Sequence, residues 1–286
     1  MTRSQLVEQI ISKKSYLCVG LDTDPSLIPR HLHFRTDKIY EFNRQIIDAT
    51  LDYCVGYKIN TAFYEAAGSK GWEALEQTVN YIPSSHFKIA DAKRGDIGNT
   101  SGQYARAFFE TLSFDAITVA PYMGSDSIRP FLEYEDKWTI VLGLTSNPGA
   151  MDFEMCQVVK TKDILEEGIH IRQQNTSLLY EAVMETVSGW GTPGNVMFVV
   201  GATRPAQLEG IRRIIPDHFL LIPGVGAQGG SLEEISEKSV IGDIGILVNA
   251  SRAIIYASDG EDFAEAAASV AKGYSREMKK YITKQK

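Results

Sequence analysis

Eight short apolar runs, rich in β-branched residues, recur along this chain of 286 residues, with helical patterns between them. They are YLCVGLD, VGYKINTAFY, FKIADAK, AITVAPY, TIVLGLTS, VMFVVGAT, FLLIPGV and GILVNAS. Near-continuous apolar runs are typical of parallel strands covered by helices on both faces. Between two of the runs, Tyr104, Ala107, Phe108 and Leu112 follow the spacing of one helix face. Eight such units predict an α/β fold, a closed (β/α)8 TIM barrel, and a doubly wound open sheet is the alternative.

Length and composition predict a single barrel domain over residues 1–286. A typical α/β barrel has roughly 250 residues, and 44% hydrophobic with 23% charged residues is close to the globular average. A longer polar segment at 147–195, with a helical pattern near 177–187, separates the fifth and sixth runs. It is either a lid over the site or a surface insertion without a role.

The charge balance argues against a protein that binds nucleic acid or an anionic membrane, because the net charge is -7. Leu6, Ile10 and Ile11 have the spacing of a short amphipathic helix, without the apolar core of a signal peptide. No stretch approaches the roughly 18 apolar residues of a membrane span. We therefore expect a small-molecule substrate and neither a nucleic acid nor a membrane partner.

Cysteines and histidines do not indicate a metal site. Cys18, Cys54 and Cys156 leave one cysteine unpaired in any disulfide scheme and lack close ligand spacing, which favours a reducing, cytoplasmic location. The five histidines form no metal-binding pair on a helix, and no serine has the nucleophile-elbow pattern of a hydrolase.

Charged residues occur at the ends of the first three runs, where an α/β barrel builds its active site. Asp22 ends the first run, Lys58 lies in the second, and Asp91 and Lys93 end the third. Side chains alternate along a strand, so Asp91 and Lys93 share a face. If sequential strands pair, these residues form an array of alternating sign, and Asp96 in the next turn adds a carboxylate. A structural ion-pair network at one end of the barrel is the alternative.

Two late loops predict a phosphate site. PGVGAQGG at 223–230 follows the seventh run, and SLEE from Ser231 resembles a capping box. NASR after the eighth run supplies Arg252, and barrels commonly bind phosphate between these loops. The glycine turn also matches the dinucleotide pattern, with Asp243 downstream. That pattern normally opens an initial βαβ unit, so nicotinamide binding is a minor alternative.

Together these residues resemble the orotidine 5′-phosphate decarboxylase family. The central signature is FKIADAKRGDIGNTS, which contains Asp91, Lys93 and Asp96. The resemblance begins with VGLD at Asp22, passes through Lys58 and ends with PGVGAQGG and NASR, so it spans nearly the whole chain. Its length is similar to that of the longer bacterial subfamily, often called type 2. Related sugar-phosphate barrels share the aspartate–lysine triad, which makes the full set more specific than the triad.

The resemblance implies a role for each matching residue. Lys93 would be the proton donor, Asp91 would lie beside the substrate carboxylate, and Asp96 would come from the other subunit of a homodimer with shared sites. The remaining matches would bind substrate: Asp22 and Lys58 at the ribose and in the charge network, Thr100 across the interface, Ser146 at the pyrimidine, Gln228 and Arg252 at the phosphate, and Pro223 and Ser251 in the loops around it. Many relatives have glycine where this chain has Ser251.

The implied reaction converts orotidine monophosphate to UMP and carbon dioxide in pyrimidine biosynthesis, without a cofactor or metal. Loss of carbon dioxide from C6 leaves a carbanion with no adjacent carbonyl, and the sequence has no motif for an electron-sink cofactor. Stabilisation would then come from preorganised charges around C6. Two other functions stay open, a metal-dependent sugar-phosphate lyase or aldolase on a similar barrel and a noncatalytic nucleotide-binding module.

Overall fold

A computed structural model describes residues 1–166, 169–226 and 229–283. Eight parallel strands close into a barrel in the order β1-β2-β3-β4-β5-β8-β9-β10, and β6 pairs with β7 in a separate hairpin. The strands are β1 Leu17–Gly20, β2 Gly56–Asn60, β3 Phe87–Arg94, β4 Ala116–Val119, β5 Trp138–Leu144, β6 Gln157–Glu166, β7 Ile169–Leu178, β8 Val196–Val200, β9 Phe219–Pro223 and β10 Ile246–Ala250.

Barrel closure decides between the two predicted architectures. Strand β1 pairs in parallel with β10, with Leu17 opposite Val248 and Val19 opposite Ala250. The predicted (β/α)8 barrel is therefore confirmed, and the open-sheet alternative is wrong. Each of the eight apolar runs overlaps a barrel strand, because each strand must bury side chains both inside the barrel and under the helices.

Helices follow the barrel strands and form the outer layer. They are α1 Arg3–Lys13, α2 Lys38–Thr50, α3 Thr61–Glu65, α4 Gly68–Tyr81, α5 Gly98–Arg106, α6 Ser125–Leu132, α7 Leu179–Ser188, α8 Pro205–Ile214, α9 Leu232–Ser239, α10 Arg252–Ile255 and α11 Phe263–Thr283. The predicted cap at Ser231 is present, since its side chain accepts a hydrogen bond from the Glu234 amide. No helix in the described ranges is both long and apolar enough to cross a bilayer.

The second apolar run is shorter as a strand than its sequence suggests. Strand β2 ends at Asn60, whose side-chain oxygen accepts a hydrogen bond from the Ala62 amide over 3.2 Å. This cap starts α3, so the TAFY part of the run is helical and the strand prediction there is wrong.

The polar segment at 147–195 contains a structure that the sequence analysis did not predict. Strands β6 and β7 form an antiparallel hairpin, with Gln157 opposite Leu178. The hairpin lies outside the barrel sheet, so its strands lack the long apolar runs of the barrel strands. Helix α7 follows it, close to the helical pattern at 177–187.

Helix α1 lies at the N-terminal end of the barrel. Leu6 and Ile10 are fully buried, but Ile11 is 44% exposed, so the predicted apolar face is one residue too wide. The Arg3 guanidinium forms an ion pair with Asp243 and lies 5.0 Å from the centre of the Phe219 ring. Helix α1 therefore leaves the opposite, C-terminal end of the barrel open, which is where α/β barrels have their active sites.

His218 is buried beside this N-terminal end. Its ring packs edge-on against Phe198 at 5.6 Å, and neither ring nitrogen has a hydrogen-bond partner in the described part of the chain. Burial, together with the positive charges of Arg3 and Arg212, lowers the pKa of His218 to about 4. The folded state therefore holds a neutral imidazole that the unfolded chain protonates near pH 6.5.

We predict that replacing His218 by Leu reduces the acid sensitivity of the fold. In the wild type, lowering the pH from 7.5 to 5.5 should decrease the free energy of unfolding by about 1 kcal/mol through this histidine, because only the unfolded state gains its proton. Urea unfolding at the two pH values measures the difference. The exposed His31→Leu variant serves as the control and should keep the wild-type difference. An equal pH effect in His218→Leu and the wild type would contradict the prediction.

Candidate active site

A cavity of about 600 Å³ opens at the C-terminal end of the barrel. Eight residues predicted from the sequence line it, namely Asp22, Lys58, Asp91, Lys93, Ser146, Pro223, Ser251 and Arg252. Asp96 and Thr100 are not among the lining residues, and Gln228 lies outside the described residues. The volume is in the range of small-molecule sites.

A cluster of alternating charge occupies one side of the cavity. Lys58 Nζ, on β2, lies 3.2 Å from Asp22 Oδ1 and 2.8 Å from Asp91 Oδ2. Lys93 Nζ lies 2.6 Å from Asp91 Oδ1. Lys58 is only 4% exposed, whereas the Lys93 side chain is half exposed. Lys58 therefore pairs with both carboxylates away from solvent, and Lys93 lies where a ligand can reach it.

The surrounding charges hold Lys58 and Asp91 in their ionised states. Burial alone would lower the pKa of Lys58, but the carboxylates of Asp22 and Asp91 raise it well above its ordinary value. Burial alone would raise the pKa of Asp91, but Lys58 and Lys93 lower it well below its usual range. At neutral pH, Lys58 is an ammonium and Asp91 is a carboxylate.

The backbone at Lys93 departs from a regular strand. Its φ of 48° lies in the left-handed region, which lysine rarely adopts, and the register between β3 and β4 shifts between Ala90 and Arg94. Simple alternation therefore does not describe this end of β3. Lys93 Nζ nevertheless reaches Asp91, as the sequence predicted. Such departures are concentrated at functional sites.

The opposite side of the cavity is apolar. Leu142, Val199 and Leu221 come from β5, β8 and β9, which face β1, β2 and β3 across the barrel. Water is displaced from such surfaces at low cost, and charges beside them interact more strongly than in water. The cavity thus combines an ionic wall with an apolar wall.

The two predicted phosphate loops also meet the cavity. Pro223, Gly224 and Val225 line it, and Gly224 and Gly226 have φ values of 97° and 77° that favour glycine. Arg252 is exposed at the start of α10 and forms no ion pair with another described residue. A guanidinium and backbone amides in two adjacent loops suit an anion.

Ser251 fits because of a glycine on the neighbouring strand. A Cβ placed on Gly20 would lie 1.8 Å from Ser251 Oγ, so a larger residue on β1 would exclude this serine side chain. Asn249 Nδ2 donates a hydrogen bond to the same oxygen over 3.2 Å. The hydroxyl therefore has a fixed position between β1 and Arg252.

Several lining residues were missed by the sequence analysis. Asn60 ends β2 and Asn249 is the last residue but one of β10, so the rule that singled out the charged residues at strand ends would also have found them. Tyr256 gives no such signal. Its hydroxyl accepts a hydrogen bond from the Asp24 amide over 2.7 Å and donates to the Asp22 carbonyl over 3.3 Å. It joins the Arg252 loop to the loop that carries Asp22.

In the described ranges, no three histidine, cysteine, aspartate or glutamate side chains are grouped as a metal site requires. The carboxylates of Asp22 and Asp91 are instead hydrogen-bonded to lysines. The cavity resembles a site for an organic anion.

Residues 15–267 match the model of the orotidine 5′-phosphate decarboxylase / HUMPS family. The chain belongs to this family. A Flavobacterium johnsoniae protein named orotidine 5′-phosphate decarboxylase is 55% identical over 285 residues, which cover 99% of this chain and 98% of that protein. Another protein of that name, from Phocaeicola vulgatus, is 52% identical over 285 residues and 99% of each chain.

Solved structures give the same result for the fold. The structure of Leishmania donovani OMP decarboxylase is 35% identical in sequence, with a TM-score of 0.75 over 96% of this chain and 99% of that chain. The orotidine 5′-phosphate decarboxylase / HUMPS family resemblance derived from FKIADAKRGDIGNTS is therefore confirmed.

We predict that Lys58→Met lowers the free energy of unfolding by about 3 kcal/mol, because it leaves Asp22 and Asp91 without their buried ammonium. Urea unfolding at pH 7.5 measures the loss. Lys70→Met, at an exposed lysine, is the control and should stay within about 0.5 kcal/mol of the wild type. Equal stability of the two variants would show that the buried ion pairs do not stabilise the fold.

Proposed function

We propose that this chain converts orotidine 5′-phosphate to UMP and carbon dioxide, a step of pyrimidine biosynthesis. The observation that carries the proposal is the half-exposed Lys93 ammonium, held 2.6 Å from Asp91 in a cavity of a family member. The cavity also offers an apolar wall and an exposed Arg252, which suit a pyrimidine base and a phosphate. The negative net charge argues against nucleic-acid and membrane partners, and the free cysteines support a cytoplasmic enzyme.

In the proposed reaction, the bond between C6 and the substrate carboxylate breaks and carbon dioxide leaves. The electron pair stays on C6, where the Lys93 ammonium stabilises it and then transfers a proton to give UMP. Asp91 lies beside the substrate carboxylate and repels it. This repulsion raises the free energy of the bound substrate and is relieved as the carboxylate leaves as neutral carbon dioxide. Lys58, which gives up no proton in this step, stays paired with Asp91.

Different parts of the cavity would bind different parts of the nucleotide. Asp22 and Lys58 would bind the ribose, and Gln228 and Arg252 would bind the phosphate, with Pro223 and Ser251 in the surrounding loops. A remote phosphate can supply binding energy for the reacting centre.

Ser146 would contact the pyrimidine from the loop after β5. Its neighbour Thr145 is fixed by Glu154, which accepts hydrogen bonds from the Thr145 amide over 2.7 Å and hydroxyl over 2.8 Å. The position of Ser146 is therefore supported by a carboxylate outside the reacting centre.

A homodimer with shared sites would bring Asp96 and Thr100 to the cavity of the other subunit. Exposed apolar side chains beside Asp96 support this arrangement: the next residue, Ile97, is 57% exposed, and Met123, whose side chain lies close to Gly95, is 46% exposed. Exposed apolar surface of this kind marks a protein interface.

We predict that Lys93→Ala lowers turnover of orotidine 5′-phosphate by more than about 10³-fold, because the proton donor and its charge are lost. Production of UMP is measured with and without a chelator, and circular dichroism checks the fold. Wild-type turnover that survives the chelator excludes a metal-dependent lyase or aldolase, and any turnover excludes a noncatalytic module. Near-wild-type activity of the variant would overturn the mechanism.

A second prediction tests the shared site. Inactive Lys93→Ala chains are mixed with inactive Asp96→Ala chains under conditions that exchange subunits. Each mixed dimer then has one doubly damaged site and one intact site. With random pairing, activity should return to about a quarter of the wild type. Absence of recovery, with mixed dimers verified by mass spectrometry, would show that Asp96 serves its own subunit or no site.

A further inference from the structure

Strands β3 and β4 do not pair evenly where the charge cluster lies. Ala90 is opposite Ile117 and Arg94 is opposite Val119, so three residues of β3 face one residue of β4, Thr118. A ladder with this mismatch cannot give every residue of the longer strand a backbone partner. The unmatched stretch contains both Asp91 and Lys93.

Thr118 replaces the missing ladder contact with its side chain. Its Oγ1 accepts a hydrogen bond from the Lys93 amide over 2.9 Å and donates to Asp91 Oδ1 over 3.0 Å. The direction is unambiguous, because a backbone amide only donates and an ionised carboxylate only accepts. Thr118 is fully buried, so water does not compete for either bond.

The contacts of Asp91 show what this hydroxyl fixes. Asp91 Oδ2 accepts from Lys58, and Oδ1 accepts from both Lys93 Nζ and Thr118. Thr118 thus joins the backbone of Lys93 to the carboxylate that its own ammonium contacts. Without it, the left-handed φ of Lys93 has no side-chain support from β4.

We infer that Thr118 is a positioning residue that sets the relative geometry of Asp91 and Lys93 for proton transfer. The inference rests on the proposed decarboxylation. When Lys93 gives its proton to C6, it loses its charge and its hold on Asp91 Oδ1 weakens. The Thr118 bond persists, so the carboxylate keeps its place until Lys93 is protonated again. Thr118 does not line the cavity, so its loss should act on kcat rather than on KM.

The test compares three variants with the wild type in UMP production. Thr118→Val keeps the shape but removes the hydroxyl, and it should lower kcat about 10- to 100-fold with KM within about twofold. Thr118→Ser keeps the hydroxyl and should restore kcat to within about threefold of the wild type. Thr139→Val is a matched control, because Thr139 is buried on β5 and its hydroxyl has no partner among the described residues.

Hydrogen–deuterium exchange gives a readout that does not depend on activity. The peptide covering 87–97 should exchange faster in Thr118→Val than in Thr139→Val, because the Lys93 amide has lost its acceptor. Thr118→Ala replaces Thr118→Val if the latter does not fold, as judged by circular dichroism.

The outcomes separate the inference from the proposed function. A wild type that forms no UMP defeats the proposed function. An active wild type with equal kcat in Thr118→Val and Thr139→Val overturns the role of Thr118, as does a Thr118→Ser variant no better than Thr118→Val. Unchanged exchange over 87–97 also overturns it.

Discussion

The whole site depends on one buried ammonium, that of Lys58. Strand β2 lies between β1 and β3 in the closed sheet, so Lys58 contacts the carboxylates of Asp22, just after β1, and Asp91, on β3. A buried charge is tolerated only when such partners lie within hydrogen-bond distance. Because Lys58 holds one oxygen of Asp91, the other oxygen is free to hold Lys93, which faces the cavity. The order of strands in the barrel therefore determines that the Lys58 ammonium is buried and that the Lys93 ammonium faces the cavity.

The division of the cavity into an ionic and an apolar wall has a consequence for catalysis. Leu142, Val199 and Leu221 place apolar side chains opposite the lysines, so the field of the fixed charges is less screened there than in water. In the proposed reaction, water would have to reorganise around a developing carbanion, whereas the side chains of the cluster are already oriented. Preorganised charge of this kind suits a reaction whose difficulty is a localised negative charge.

Much of this arrangement could be predicted from the sequence, because barrel strands have near-continuous apolar patterns and charges at their ends stand out. Asp22, Lys58, Asp91 and Lys93 were found in this way. What could not be predicted depends on tertiary contacts. The left-handed backbone of Lys93 arises from a mismatch between two strands, and Tyr256 acts through hydrogen bonds to a loop far along the chain. The hairpin of β6 and β7 was missed because it lies outside the barrel sheet.

The charge count of the cluster connects folding to the proposed dimer. Within one chain, two lysines face two aspartates, so the cluster has a formal charge of zero when the chain folds. In the proposed dimer, the approach of Asp96 from the other subunit would make the cluster negative by one charge. The excess negative charge opposes the substrate carboxylate, which is the group lost in the reaction. The negatively charged cluster, which would be costly to bury during folding, would then form only when the subunits associate. The binding free energy of the substrate phosphate at Arg252 would offset the repulsion between this cluster and the substrate carboxylate.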